Sequence, residues 1–267
     1  MRLPTVPGGI QAKAWPPVLA TRGPGSRSEL HAHHAMHFIL AVEGDIRVRT
    51  SHYGSWCRAA GVLTSPDSLH AVDARGVEVL LIFLDPESDA GAMLRPAFHG
   101  SMRLIDSTER AALLHNAEPV AFVRQGADEW SRSAAGILGL TPSDSRRAIH
   151  PRVRKLLALL RDGRFEGIVS LDVLAEVVGL SPSRLMHVFT ESVGIPLRPY
   201  LSWLRLQRAA AAIVSGVPLT EAAHAAGFAD AAHMSRSFKR TLGVAPSLLR
   251  PLRCNNQLVQ DTRHVER

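Results

Sequence analysis

Two stretches in the C-terminal half of the chain share one pattern of apolar and polar positions. In each, an alanine is followed four positions later by a glycine, as Ala175 is by Gly179 and Ala223 is by Gly227. Apolar residues then recur three or four positions apart, which is the spacing that lines one face of a helix. Because glycine is favoured where a helix ends, each copy predicts a helix, a turn and a second helix. We therefore predict two helix-turn-helix units.

The second helix of each unit is predicted to be amphipathic. Leu185 and Val188 take the inward positions in the first unit, and Met234 and Phe238 take them in the second. The alanine- and leucine-rich residues 199–216 between the units predict one long helix that acts as a rigid spacer. If this helix holds both units on one side of a DNA duplex, they reach successive major grooves, about 34 Å apart.

Residues 151–250 resemble the DNA-binding domain of the AraC family of bacterial transcription regulators. The resemblance departs from the family pattern at Leu249, where the family usually has an aromatic residue. It rests on an ordered set of residues: Leu174, Ala175, Gly179, Leu180, Ser181, Leu185, Phe189, Gly194, Tyr200, Leu201, Arg205, Leu206, Ala209, Gly227, Phe228, Asp230, His233, Ser235, Arg236, Phe238, Lys239, Arg240, Gly243 and Pro246.

The resemblance implies a sequence-specific regulator that binds double-stranded promoter DNA, most often as an activator working with RNA polymerase, and that can form a homodimer. It also implies that exposed residues of each second helix read the duplex. These are Ser183, Arg184, Met186 and His187 in the first unit, and Ala231, Ala232, His233, Ser235 and Arg236 in the second. Arginine can donate two hydrogen bonds to guanine, whereas Arg184 fits a phosphate contact equally well.

The N-terminal half has the pattern of a β domain. Residues 36–50 predict a β-hairpin around a Glu-Gly-Asp turn, and residues 76–86 predict a buried strand that stops at proline. Short strands broken by Gly, Pro and Asp indicate a barrel or a sandwich, and residues 86–140 turn helical in character. The fold class is thus α+β, with a cupin-like β-barrel and flanking helices before an all-α domain with two helix-turn-helix motifs.

The cupin part of this prediction is a resemblance. The spacing from Gly25 through the histidines to Gly44 is similar to the first cupin motif, with His37 where cupins usually carry glutamate, and a weaker second motif ends at His70. We divide the chain into a ligand-sensing domain over residues 1–140, a linker over 141–150, a DNA-binding domain over 151–253 and a flexible tail over 254–267.

Four histidines of the β region form a candidate site for a divalent transition metal. His31, His33 and His37 share one parity on a predicted strand and would point to the same face, and His70 would approach from across the barrel. His34 has the opposite parity and would point away. Neutral imidazole suits Zn, Ni, Cu and Fe. The alternative is that the cluster serves only as packing or polar lining.

Charge separates the two halves. Residues 1–140 carry 13 Lys+Arg and 14 Asp+Glu, a net charge of −1, whereas residues 141–267 carry 18 and 10, a net charge of +8. A basic excess confined to the half with the helix-turn-helix pattern favours contact with phosphates there.

The chain has only two cysteines, no apolar run that approaches a membrane span and no signal-peptide pattern. We therefore expect a cytoplasmic protein with free thiols and no membrane partner.

Two classes of function fit these patterns. The first is a transcription regulator whose barrel senses a metal ion or a small molecule. The second is a cupin metalloenzyme, such as a dioxygenase or an isomerase, fused to a DNA-binding domain. Residues 1–140 show no further catalytic constellation, so we expect no enzyme activity.

Overall fold

The computed structural model describes residues 18–115, 117, 128–140, 149–161 and 170–249. The predicted tail over residues 254–267 and all but residues 149–150 of the predicted linker lie outside these ranges. None of the helices in the described ranges combines the length and apolar character needed to cross a bilayer.

The β half contains eight described strands. They are β1 (Val18–Pro24), β2 (Met36–Ala41), β3 (Ile46–Arg49), β4 (Cys57–Ala59), β5 (Gly61–Thr64), β6 (Ala71–Asp73), β7 (Glu78–Leu84) and β8 (Met102–Ile105). They form a five-stranded sheet in the order β1-β7-β2-β5-β8 and a three-stranded sheet in the order β4-β3-β6, with antiparallel pairing throughout.

Two predictions about this half are wrong in detail. The described strands form two separate sheets and do not close into a barrel. The hairpin predicted over residues 36–50 is absent, because β2 pairs with β5 and β7 whereas β3 pairs with β4 and β6. The turn at Gly44 (φ 72°) therefore carries the chain from one sheet to the other.

The five-stranded sheet is covered on both faces, which explains why all six residues of β2 are buried. Phe38 and Leu40 pack into a core with the helices of this half, whereas Ile39 and Ala41 pack into a core with the three-stranded sheet. A strand with both faces covered loses the simple alternation of apolar and polar residues. The buried run over β2 is thus a sign of a central strand.

Nine helices lie in the described residues. The β half holds α1 (Asp89–Leu94), α2 (Ser107–His115) and α3 (Asp128–Ile137). The helical half holds α4 (Pro151–Arg161), α5 (Leu171–Val178), α6 (Pro182–Val193), α7 (Leu197–Val214), α8 (Leu219–Ala225) and α9 (Ala231–Leu242).

The first helix-turn-helix unit, α5 and α6, follows its sequence pattern. Gly179 ends α5 in the left-handed conformation at φ 66°, and Ser181 caps α6 by accepting a hydrogen bond from the backbone N–H of Arg184. Pro182 is the first residue of α6, where its missing N–H removes no helical hydrogen bond. Leu185 and Val188 are buried, so the predicted inward face is confirmed.

The second unit, α8 and α9, is also a helix, a turn and a second helix, but an aspartate rather than a serine caps its second helix. Asp230 caps α9 by accepting a hydrogen bond from the backbone N–H of His233 at 2.6 Å. Gly243 ends the helix at φ 70°. Met234 and Phe238 are buried as predicted, and Leu242, one turn further on, is buried with them.

The helix α7 joins the two units through two apolar cores. Tyr200 and Leu204 belong to the core of the first unit, and Trp203, Leu206 and Ile213 belong to the core of the second. Because one continuous helix contributes to both cores, the two units are held in a fixed relation.

Candidate functional site

The outer face of α6 carries the first set of predicted DNA-reading residues. Ser183, Arg184, Met186 and His187 are all exposed. His187 lies 3.1 Å from Glu191 one turn later, an exposed contact of a kind that contributes little to stability. The face is therefore accessible for contact with a duplex.

The outer face of α9 carries the second set. Ala232, His233 and Arg236 are exposed, whereas Ala231 and Ser235 are half-buried. The Ser235 hydroxyl donates a hydrogen bond to the Ala231 carbonyl at 2.7 Å, so this hydroxyl is already engaged. Ala232, His233 and Arg236 are thus the residues of this set that face solvent most directly.

The predicted metal-binding residues come together at the boundary between the two halves of the molecule. His31, His33 and His70 are buried, and each can offer a ring nitrogen such that the three nitrogens lie within 4.8 Å of one another. The ring centroids are 4.4 Å apart for His31 and His70, and 5.0 Å apart for His33 and His70. We call these three residues the histidine cluster.

The positions of these histidines relative to the strands differ from the prediction. His31 and His33 precede β2 rather than lying on one strand with His37. A pair of backbone hydrogen bonds of 2.9 Å between His31 and His70 brings the two chain segments together. Pairing between distant segments, rather than parity along one strand, therefore assembles the cluster.

His37 lies beside the cluster but outside it. Its ring stacks on Phe83 at a centroid distance of 3.8 Å and an interplanar angle of 17°, and its centroid is 6.3 Å from that of His70. Within the described part of the chain, neither of its ring nitrogens has a hydrogen-bond partner. The His37 ring centroid also lies 5.3 Å from that of His33. Four-histidine ligation remains a prediction, while ring nitrogens of three of the four histidines lie within 4.8 Å of one another.

Burial favours the neutral form of all four imidazoles. It lowers the pKa of His31 to about 4, and the neighbouring His70 adds to this effect. Burial also lowers the pKa of His70, and it holds the pKa values of His33 and His37 well below 6.5. Neutral imidazole is the form that can donate a lone pair to a metal.

The second helix-turn-helix unit packs directly against the histidine cluster. His33 stacks on Trp203 of α7 at a centroid distance of 5.7 Å and an interplanar angle of 16°. At the end of α9, the Gly243 carbonyl accepts a hydrogen bond from the Glu29 backbone N–H at 3.3 Å. A Cβ atom on Gly243 would lie 2.5 Å from His31 Nδ1, so only glycine fits there without a shift.

Helix α4, which shares the apolar core of the first unit, meets the β half through charged side chains instead, most of them buried. Asp85, which follows β7, forms an ion pair of 2.6 Å with Arg161 at the end of α4. Glu87 lies 3.1 Å from His34 Nε2, and Asp67 lies 2.7 Å from His34 Nδ1. We call this group of five residues the ionic joint.

The charges of the ionic joint depend on one another. Burial by itself would lower the pKa of His34, but hydrogen bonds to Asp67 and Glu87 raise it to about 9. Burial raises the pKa of Asp85 to about 7, and the Arg161 guanidinium opposes this rise. As predicted, His34 points away from the histidine cluster, and its role is to pair with carboxylates.

The cleft beside the ionic joint encloses a cavity of ≈ 370 Å³. Its lining includes His34, Glu87 and Arg95 from the β half and Gly194 at the end of α6. The cavity therefore lies between the β half and the first unit, while the histidine cluster lies against the second.

The sequence patterns missed Asp85, Arg161 and Trp203 as contacts between the halves. A signal for Arg161 was present, because it lies four and eight positions after the buried Leu157 and Val153, on the inward stripe of α4. An arginine on an apolar stripe requires a buried partner. Asp85, directly after the apolar run of β7, carried the matching signal.

Comparison with known proteins supports the assignment of the helical half. A family profile described as a helix-turn-helix domain matches residues 174–251. The arabinose operon regulatory protein of Escherichia coli (strain K12) is 32% identical over 111 residues, which are 39% of this chain and 37% of that protein. The chain thus matches less than two-fifths of the length of this relative.

The matches that cover more of the chain have lower sequence identity. The transcriptional activator NphR of Rhodococcus sp is 23% identical over 231 residues, which cover 79% of this chain and 68% of that protein. The crystal structure of ToxT from Vibrio cholerae O395 aligns with a TM-score of 0.54 at 12% identity, covering 87% of this chain and 96% of that one. This structural similarity shows a shared fold. With the motifs, the two capped units and these matches together, residues 174–249 of this chain form a helix-turn-helix domain of the type found in AraC-family regulators.

Proposed function

We propose that the protein is a transcription regulator that binds specific sequences in double-stranded DNA and responds to an effector bound by its β half. The observation that carries this proposal is the pair of helices α6 and α9, whose outer faces are exposed and whose relation is fixed by α7. Two helices held in this way can enter successive major grooves on one side of a duplex.

The charge distribution supports the proposal. The helical half carries the entire basic excess of the chain, and Lys239 and Arg240 extend the basic surface of α9 beyond the reading residues. Phosphate contacts position a protein on DNA, whereas Arg184 and Arg236 can also reach base edges. We expect the affinity for DNA to fall steeply with salt, because bound counterions are released from the phosphates.

The finer parts of the proposal are activation, RNA polymerase as a partner, a homodimeric state and a cytoplasmic location. The relative named as a transcriptional activator favours activation. The competing function is a cupin metalloenzyme fused to a DNA-binding domain, which predicts substrate turnover that depends on the histidine cluster. We favour the regulator, because Trp203 and Gly243 of the DNA-binding half lie directly against the cluster.

A footprint with the full chain tests the proposal. The probe is the promoter region upstream of the protein's own gene, with random DNA of equal length as competitor. We expect two protected patches about 10 base pairs apart, one for each reading helix. Equal affinity for promoter and random DNA at every salt concentration would reject sequence-specific recognition.

A pair of charge-matched variants locates the contact. Ala232→Glu adds a negative charge to the exposed face of α9, whereas Ala112→Glu adds the same charge to an exposed position of α2 in the β half. We expect the first variant to lose the footprint and the second to keep it, because only the first faces phosphates. Loss of the footprint in both variants would place the DNA contact elsewhere.

A further inference from the structure

Hydrogen bonds to backbone carbonyls prepare two of the three clustered histidines as ligands. His31 Nδ1 lies 2.8 Å from the Glu29 carbonyl oxygen, and His70 Nδ1 lies 2.8 Å from the Ser68 carbonyl oxygen. A carbonyl oxygen only accepts, so each Nδ1 carries the proton and donates. In a neutral ring, each Nε2 then keeps its lone pair. This arrangement, with one nitrogen anchored and the other left as a base, is typical of histidines that bind metals.

The third histidine is buried and its ring makes no hydrogen bond to another described residue. His33 is 3% exposed, and within the described residues neither of its ring nitrogens has a hydrogen-bond partner. His70 Nε2 is likewise buried and unpaired. An unsatisfied buried polar atom is unfavourable by about 1–3 kcal/mol. Several such atoms turned to one point indicate a ligand that all of them share.

We propose that His31, His33 and His70 bind one divalent transition metal ion, and that this ion is the effector that the DNA-binding half senses through Trp203. Three nitrogen donors without a carboxylate favour zinc, nickel, copper or iron over magnesium or calcium, which prefer oxygen donors. The first part of the proposal stands on the cluster alone. The second part rests on the regulatory function proposed above.

The distances indicate what binding would change. Nitrogens bound to one tetrahedral zinc lie about 3.3 Å apart, given zinc–nitrogen bonds of about 2.0–2.1 Å. The clustered nitrogens lie within 4.8 Å of one another, so binding draws the rings closer together by rotation of their side chains. His33 has the freest ring, because His31 and His70 are each anchored through Nδ1. We therefore expect the ring of His33, which has no such anchor, to rotate the most.

A movement of His33 is transmitted to the helical half. Its ring stacks on Trp203, and Trp203 belongs to the same apolar core as Met234 and Phe238 of α9. The Phe83 ring also contacts His33, and it belongs to this core from the β half. Because packed cores respond by shifts of whole elements, the position of α9 depends on where His33 lies.

The metal site is tested by two aromatic variants in the full chain. His33→Phe keeps an aromatic ring against Trp203 but removes both nitrogens, and His37→Phe makes the same change just outside the cluster. Both replace unpaired buried nitrogens with carbon, so we expect both variants to fold, which circular dichroism without metal verifies. Cobalt titration followed by visible absorbance, and competition with zinc, measure the affinity and the stoichiometry.

We expect the wild type to bind one equivalent and His33→Phe to lose affinity by about a hundredfold or more, since loss of even an outer-shell partner lowers metal affinity by about 10–100-fold. His37→Phe should stay close to the wild type. Absence of stoichiometric binding in the wild type, or equal affinity of His33→Phe and the wild type, would reject the site. An equal loss in His37→Phe would reject the three-ligand assignment.

Sensing by the helical half is tested with nickel and Trp203→Phe. We expect nickel to quench tryptophan fluorescence in the wild type far more than in Trp203→Phe, because Trp203 stacks on a ligand residue. Nickel should change promoter affinity in the wild type, whereas Trp203→Phe should bind nickel but lose this change. Metal binding with unchanged promoter affinity would reject the sensing step. A wild type that binds metal but never binds promoter DNA would instead reject the regulatory function and leave the metal site intact.

Discussion

The two helix-turn-helix units share one plan but attach to the β half by different physical means. The second unit shares an apolar core with Ala35 and Phe83 of the β half and packs on the histidine cluster. The first unit meets the β half through the ionic joint and the cavity beside it. Apolar packing depends on shape, whereas a buried ion pair depends on the charge of both partners. A signal at the histidine cluster should therefore reach the second unit first.

The largest effect is expected from breaking the ionic joint with Arg161→Met. Removing one partner of a buried ion pair is unfavourable by about 3–5 kcal/mol, because the remaining Asp85 must either stay charged without its counter-charge or take up a proton. Urea unfolding at pH 8 measures the loss of unfolding free energy. The matched control is Arg58→Met, which breaks an exposed pair with Asp45 and should change stability by less than about 1 kcal/mol.

The loss in Arg161→Met should also depend on pH. The pKa of Asp85 in the folded protein is raised to about 7, above its ordinary value, so its contribution to stability is present at low pH and is lost as pH rises through 7. Without Arg161 this pKa rises further. The difference in unfolding free energy between the variant and the wild type should thus be small at pH 5 and large at pH 8. A difference in unfolding free energy that is independent of pH would show that the charge of Asp85 does not determine the stability of the ionic joint.

The apolar attachment of the second unit is tested by Gly243→Ala against Gly216→Ala. Both glycines have positive φ, 70° and 88°, so alanine is strained by about 1–2 kcal/mol at either position. Only at residue 243 does the new Cβ meet the β half, at 2.9 Å from the Glu29 carbonyl oxygen. We expect an additional loss of about 1–3 kcal/mol in thermal unfolding for Gly243→Ala. Equal losses would mean that the two halves separate easily at this contact.

The DNA-reading roles of the two units are compared by Arg236→Ala and Arg184→Ala. We expect Arg236→Ala to weaken promoter binding by about 1–3 kcal/mol and to relax the preference at one base pair. Fluorescence anisotropy with promoter and random duplexes at several salt concentrations separates base contacts from phosphate contacts. Equal weakening on both duplexes, with a lower salt slope, would assign the arginine to a phosphate. Arg58→Ala in the β half is the control for loss of one positive charge.

The smallest effect concerns the helix caps. Ser170 and Ser181 cap the first unit and do not titrate, whereas Asp230 caps α9. The hydrogen bond from the His233 backbone N–H lowers the pKa of Asp230, so the cap contributes stability above the ordinary pKa of aspartate and loses it as pH falls. Amide hydrogen exchange in the first turn of α9 should speed up in acid, and Asp230→Ser should remove this response. The first turn of α6 serves as the internal control.

Local patterns predicted the helical half well, because the signals that begin, end and orient a helix lie within a few residues of one another in the sequence. The turn glycine Gly179 and the inward residue Phe238 were predicted from spacing along one helix or turn, and the observed caps at Ser181 and Asp230 are equally local features. The division of the β strands into two sheets was not predictable in this way, because the pairing of β2 with β7 joins segments far apart in sequence. Residue types identified the candidate metal ligands, but their convergence depends on the His31–His70 bridge.

On the proposed function, the helix α7 should make DNA binding sensitive to the number of base pairs between the two half-sites. Its 18 residues rise about 27 Å and contribute to the cores of both units. One base pair inserted between the two half-sites moves them about 3.4 Å apart and turns one of them about 34° around the DNA axis. A helix embedded in two cores cannot follow that rotation, so the DNA must twist or bend instead. On the proposed function, we therefore expect a change in half-site spacing to weaken binding, as a change in the bases would.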